Sequence, residues 1–559
     1  MKKNTITAFL FSILLIASGC NGFLDLNPTD AVTDKVVMTK MEYATLYVNS
    51  FYTVINSFGQ FGTEQCYPGL TDGLTDTFKY GSKAGNVTGV HYGFANQLVY
   101  GITGQTASSC AYYLSNWSDM YTAIRRINEF LSALDDATFA DSDKLLLEGQ
   151  ARFFRAFLYY QLVLRHKEVI LYGKDLSSYK KDMPLSTEAQ GWDFVQQDLE
   201  YAAKVLPLRW NSANSGRITK GAANAMLSRA MLYAGRWQAA KNAADSVIKS
   251  EVYSLMPGKT SAEYAKCFSE SSVAGNTESI LEYDYVAGTL DHSFDYYFSP
   301  GGDQANKALG LGTPTQDIVE EYEYAGGGMV DWTPWHVSGG TTEKPPYDQL
   351  EPRFGASILY DGASWKGRKI EPYEGGSDGW TKPGTDRVSG KTTTGYYLRK
   401  LVDETHTDLI TKNSSQPWIA IRYAEVYLNR AEAEYRIGGM DDAASEDVSK
   451  VRERVGLPKV KLTGDALWAK IRMERKLELA FEGQLYWDMR RWKLAHIDYS
   501  GAAARVHGLK ITVEGANHRY TYIDADEQDR VFPEKFYQIP IPEDELNDNH
   551  AIQQYSIWR

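Results

Sequence analysis

Across residues 40–59, 116–255 and 418–559, apolar side chains recur every three or four positions, the spacing of helices packed by one face. The strongest stretch is Arg472 to Trp492, RMERKLELAFEGQLYWDMRRW, which reads as one helix. Met473, Leu477, Phe481, Leu485, Met489 and Trp492 line its apolar side. The same helix carries Glu474, Glu478 and Glu482 in a row at i, i+4 spacing. Like charges so placed repel by a few tenths of a kcal/mol per pair when exposed. The row therefore needs cations from elsewhere, and Arg475, Arg490 and Arg491 are close in sequence. Gly483 in mid-helix costs about 1 kcal/mol relative to Ala, which marks a kink or a close backbone approach. These charges read as an ionic network joining the last helices, not as catalytic groups.

Elsewhere the pattern predicts a helix from Lys40 to Phe58 with Tyr43, Leu46, Tyr47, Phe51 and Val54 on one side, one from Trp117, and one over Leu145–Leu164. Ala222 to Lys249 reads as a helical hairpin. Its spacing of Ala230, Gly235 and Ala240 returns as Ala433, Gly438 and Ala443. Small inward residues with Gly at the turn suit close helix pairs, and the distance between the copies excludes a tandem array. Two regions lack the period: Gln60–Ser115, and about Met256 to Pro417, which is dense in Gly, Pro and aromatics. Long irregular insertions on a rigid frame are where binding usually resides.

Charge narrows the function. A net charge of −12 argues against nucleic acid, whose recognition leaves a basic footprint. Lys2 and Lys3, an apolar run from about Ile6 to Ala17, then Ser18-Gly19-Cys20 form a secretory signal too short to span a bilayer comfortably. Small residues before Cys20 resemble a bacterial lipobox, which implies cleavage there and lipidation of Cys20. Asn21 to Asp34, with Pro28, reads as an extended tether. Cys66, Cys110 and Cys267 remain; a Cys66–Cys110 disulfide with one free thiol and three buried thiols both fit the spacing.

Catalytic constellations are missing from the motif level. There is no GxSxG, no HExxH and no CxxC zinc spacing, and Gly390-Lys391-Thr392 is off by one for a phosphate loop with no apolar strand before it. Asp72 and Asp76 are the one obvious carboxylate pair for glycoside hydrolysis. The 38 Tyr, 13 Trp and 21 Phe suit another chemistry. A sugar lays its CH face on an aromatic ring while polar side chains take its hydroxyls. On this basis Tyr80, Tyr92, Tyr296, Tyr297, Trp332 and Trp335 are the candidate platforms, with Asp72 and Asn96 as polar partners. No cofactor or metal site is expected.

The run ERKLELAFEG followed by WDMRRW closely resembles the C-terminal signature of the SusD/RagB family of outer-membrane nutrient-binding lipoproteins. That signature often has Arg two residues after the Glu-Gly pair, where this chain has Leu485. Other segments are similar to the family in the same order: Trp117, Tyr121, Ile124 and Asn128; Ala151 to Val163; RYAEVYLNRAEA from Arg422, pairing Arg422 and Glu425 with the ionic helix; and the closing segment from Phe536. His166 to Tyr172 departs from the family's usual turn.

The resemblance implies a mainly α SusD-like fold, with four dispersed tetratricopeptide-like helix pairs forming a right-handed superhelical scaffold that carries a loop-rich ligand-binding subdomain. It implies a signal peptide over 1–19, lipidated Cys20 and a tether over 20–39, and a single domain over 40–559 with ligand loops at about 60–115 and 256–417. It also implies a lipid-anchored outer-membrane protein, facing outward, that binds glycan without chemistry and acts as the lid of a SusC-like TonB-dependent transporter. The alternatives are a SusD-like binder of another nutrient such as peptide, and a secreted helical glycoside hydrolase.

Overall fold

The computed structural model describes residues 38–61, 71–81, 98–101, 106–305, 307–383 and 388–559. Cys20, Cys66, Tyr92 and Asn96 lie outside them.

The chain is mainly α. The principal helices are α1 Met41–Asn49, α2 Ala107–Leu114, α3 Trp117–Ala133, α4 Asp141–His166, α5 Glu188–Val205, α6 Lys220–Tyr233 and α7 Trp237–Lys249. After the irregular middle, which includes the short α8 Phe294–Phe298, come α9 Tyr423–Ile437, α10 Asp441–Arg454, α11 Gly464–Glu478 and α12 Leu485–Arg491. Successive helices pack pairwise, α3 on α4, α4 on α5, α6 on α7 and α9 on α10, while α7 also packs on α9 and so joins the early pairs to the late ones.

Local signals place these elements. Trp117, Met120, Ile124, Ile127 and Leu131 form the buried stripe of α3. Thr187 and Gln190 close a capping box at the start of α5. Gly235 (φ +67°) turns α6 into α7, and Ala230 and Ala240 are fully buried between them. In the second copy, Gly438 turns as expected (φ +86°), but Ala444, not Ala443, is the buried residue. It is the fourth residue of α10, as Ala240 is of α7.

Three expectations change. The stretch Arg472–Trp492 is two helices: α11 stops at Glu478, and Phe481 (φ +63°) and Gly483 (φ +75°) reverse the backbone before α12. The reversal is held from outside, because Phe481 O accepts from Gln60 Nε2 at 3.0 Å and Gly483 N donates to Asp72 at 3.0 Å. The buried side of α1 and the turn after it is Ala44, Val48, Phe51, Val54 and Ile55, so Phe51 and Val54 pack as expected while Tyr43 and Leu46 are exposed. Apolar residues occur on both faces of that segment, so periodicity alone could not choose. Finally, α2 lies inside the stretch read as loop.

Short antiparallel pairs stitch the irregular middle to the helices. Strand β1 Phe78–Tyr80 pairs with β3 Gly312–Pro314, and β2 Ser279–Tyr283 with β4 Trp418–Arg422. Strands β5 His507–Glu514 and β6 Asn517–Asp524 form a hairpin turned at Gly515 (φ +65°). One continuous apolar core runs from the α1 segment through the middle to the C-terminal tail.

A buried ionic lattice answers the Glu474, Glu478 and Glu482 row. Arg422 reaches Glu278 (2.6 Å), Glu478 (2.9 Å) and Glu482 (2.7 Å), and Arg353 reaches Glu351 (2.6 Å) and Glu474 (2.5 Å). Arg454 pairs with Glu278 and Glu478, Arg452 with Glu323 and Glu474, and Lys400 with Glu482 at 2.7 Å. Of the cations near in sequence, Arg475 and Arg491 take Asp488 instead, and Arg490 donates to Phe536 O. Glu425 pairs with Arg229 of α6. Cys110 and Cys267 are buried free thiols, and burial pushes the Cys110 thiol up to about 12.

Candidate functional site

The helix α8 divides its aromatics between the core and a half-buried side. Phe294 and Phe298, four residues apart, face inward and stack on each other at 4.5 Å. Asp295 is buried between partners, accepting from Asp403 N (3.0 Å) and from His406 Nδ1 (2.7 Å), a hydrogen bond that raises the His406 pKa. Tyr296 and Tyr297 occupy the other side. They are half-buried, edge-to-face at 5.2 Å, and their carbonyls are clamped by Leu309 N (3.0 Å) and Leu311 N (2.8 Å). Neither hydroxyl has a hydrogen-bond partner among the described residues. Two anchored rings with free hydroxyls offer an apolar surface and hydrogen-bonding groups at low entropic cost.

Tyr80 packs against the buried side of α8. It is 6% exposed, with its ring 5.5 Å from Phe78 and 6.4 Å from Phe298. Beside it Lys79 is buried against Asp526 at 2.8 Å, and Asp526 also holds Arg530 at 2.6 Å. Burial works against both charges, yet Arg530 and Lys79 hold Asp526 well below the usual carboxylate range.

The remaining candidates sit elsewhere. Asp72 is 1% exposed and bonds to Gly483 N and Gln60 Nε2 (3.3 Å), so it clamps the α11–α12 reversal; burial pushes its pKa up to about 6. Asp76 is paired with Lys476 at 2.7 Å, and Lys476 also holds Glu321 at 2.6 Å. Trp332 and Trp335 are each 5% exposed, edge-to-face at 5.3 Å beneath the β5–β6 hairpin, and the indole of Trp335 donates to Glu343 O at 2.8 Å. Thus Tyr80 packs on Phe298 of the helix that carries Tyr296 and Tyr297, whereas Asp72, Trp332 and Trp335 are held by other elements.

Residues that pattern reading missed fix the segment after α8. Arg368 bridges Asp303 and Asp378 at 2.6 Å each, and the Trp365 indole donates to Asp303 at 2.9 Å. A Cβ on Gly301 would lie 1.7 Å from Gly390 O, so two backbones touch there and only Gly fits. Lone charges in Gly-rich sequence have no spacing from which such pairing could be read. Among the described residues, no group of three or more His, Cys, Asp or Glu could hold a metal ion, and no helix is long and apolar enough to cross a membrane.

Comparison with known proteins agrees along the chain. A family model described as the SusD family matches residues 277–558, and one described as starch-binding associating with outer membrane matches residues 64–232. SusD-like protein P38 of Formosa agariphila is 24% identical over 520 residues, covering 88% of this chain and 91% of its own. The crystal structure of a SusD-like protein from Bacteroides fragilis NCTC 9343 superposes with a TM-score of 0.79 at 26% identity, over 95% of this chain and 99% of that one. A second protein from that strain, named a SusD-like carbohydrate binding protein, shares the fold with a TM-score of 0.75 at 22% identity, over 92% and 100%. With a family model spanning just over half of its length and the fold shared nearly end to end, the chain belongs to the SusD family.

Proposed function

We propose that this protein is a glycan-binding lipoprotein of the outer membrane, anchored through Cys20, that captures oligosaccharide or polysaccharide on the Tyr296–Tyr297 platform as the lid of a SusC-like TonB-dependent transporter. The observation that carries the ligand class is the pair of anchored, half-buried tyrosines with free hydroxyls. A pyranose ring lays its CH face on such a surface while its hydroxyls take polar partners. Family membership and the names of fold neighbours, a laminarin binding SusD-like protein and a surface glycan-binding protein A from Bacteroides uniformis, support the same class. Coupling to transport is a hinge closure that the ligand favours through contacts made only in the closed state.

No chemistry on the ligand is proposed. The one carboxylate pair suggested by sequence is already engaged, Asp72 with Gly483 and Gln60, and Asp76 with Lys476. The test is native electrophoresis through gels containing each of a panel of polysaccharides, with the same mixtures assayed for released sugars. Retardation in at least one gel without products is expected, and replacing Tyr296 and Tyr297 together by Ala should weaken it at least tenfold, as loss of stacked aromatic area implies. Released oligosaccharides would overturn the binding-only reading. Retardation by none of the gels, with binding to peptides instead, would transfer the same fold to a different nutrient.

A further inference from the structure

A second groove lies on the scaffold, built from none of the residues of the tyrosine platform. Its walls are the α5–α6 connector, the segment after α7 and strand β2, and its cavity volume is about 210 Å³. Trp210 is half-buried in it, and its indole N–H is tied to Ile218 O at 2.9 Å, which fixes the ring. Tyr253 and Ile280 extend the apolar surface, and the Tyr253 hydroxyl bonds Thr219 at 3.1 Å.

The polar groups around that ring are of both kinds. Arg209 is exposed and uses one donor, on Val252 O at 2.9 Å; the rest of its guanidinium makes no hydrogen bond among the described residues. The Ser215 hydroxyl is likewise exposed and without a partner among the described residues. Across the groove the Glu282 carboxylate is held rigid by Ser272 N (2.8 Å) and Ser279 Oγ (2.5 Å). Arg217 also lines the groove, its guanidinium 6.0 Å over the Trp210 ring but committed to Asn214 (2.9 Å) and Asn49 (3.0 Å). A simple anion would meet Arg209 but face the Glu282 carboxylate, and a purely apolar ligand would leave these charges desolvated. A hydroxyl can accept from a guanidinium and donate to a carboxylate.

From a fixed indole flanked by such donors and acceptors, we infer that this groove is a second saccharide site, taking a pyranose unit on Trp210 with its hydroxyls between Arg209, Ser215 and Glu282. It goes beyond the platform site and does not depend on it. A polymer engaged at both would gain avidity through effective concentration, where its length spans the two.

The test labels the protein with 5-fluorotryptophan, assigns the Trp210 signal by its loss in Trp210→Phe, and titrates with maltoheptaose, laminarihexaose and cellohexaose. The Trp210 resonance is expected to shift with at least one sugar. Arg209→Ala, at an exposed side chain that does not threaten the fold, should weaken that shift's midpoint about tenfold, the size of one charged hydrogen bond. Tyr296→Ala should leave it unchanged, which separates this site from the platform. A Trp210 signal unmoved by all three sugars overturns the inference, whether or not other tryptophans respond. So does a midpoint indifferent to Arg209→Ala.

Discussion

Asp72 shows how burial reassigns a residue. On sequence it is a hydroxyl-binding or catalytic carboxylate in a loop; in the fold it bonds Gly483 and Gln60 with 1% of its surface exposed. Its pKa rises to about 6 in the folded chain from an ordinary value near 4, so the folded state holds a proton that the unfolded state releases. Stability from this group is therefore full below about pH 4 and declines as pH rises to about 6. Asp72→Asn keeps an acceptor for Gly483 N without the charge. It should raise stability at pH 8 by about 1–3 kcal/mol and leave it little changed at pH 4, as read by urea denaturation at both values. Lower stability at pH 8 would mean that the ionised form is needed. The loop composition around Asp72 was legible in sequence. Its burial was not, because it depends on a turn some four hundred residues away.

At the scale of elements, the break between α11 and α12 and the lattice around it belong together. Gly483 announced a disturbance in an otherwise regular apolar stripe, and the like-charged glutamates announced a need for cations. Arg422 was marked by its motif; what no local signal contained was the source of the other cations, since Arg353, Lys400 and Arg454 come from other segments. Arg422 joins β4 to α11 and, through Glu278, to the segment entering β2. Replacing it by Met leaves Glu278, Glu478 and Glu482 short of positive charge in a dry interior. The expected loss is about 3–5 kcal/mol, measured as a shift in denaturant midpoint, and a loss below about 1 kcal/mol would show the lattice to be redundant at this corner. The exposed Tyr43 and Leu46 of α1, and the exchange of Ala443 for Ala444 on the inner side of α10, show the other limit. A period identifies a helix more reliably than it identifies the face that packs.

For the whole molecule, the buried charges set a stability optimum in pH. Burial opposes ionisation of Glu478, yet Arg454, Arg422 and Arg353 together hold it far below the usual carboxylate range; Glu323, with Arg452 and Lys470, is lowered to about 2. Such groups contribute stability above their unfolded pKa, and it is lost as pH falls from about 4.5 toward 2. Burial acts the other way on Asp72 and on Glu321, the latter raised to about 7, so their contribution fades as pH climbs from about 4 to 7. Calorimetry from pH 3 to 8 should find the highest midpoint near pH 5, with the steeper fall on the acid side. A midpoint still rising at pH 7.5 would contradict this balance.

By itself, the sequence determined the helical class, the turn glycines of the two small-residue hairpins, and the order of motifs that marks the family, because each rests on spacing within one segment. Tertiary structure alone decided which aromatics stay half-buried and which are core. Tyr296 and Tyr297 differ from Trp332 and Trp335 in what packs over them, not in chemistry. It also decided which carboxylates are free to meet a ligand, since that turns on partners brought from distant parts of the chain. Trp210 is the same case reversed. An ordinary connector residue in sequence, it becomes a groove wall once β2 and the segment after α7 are folded against it.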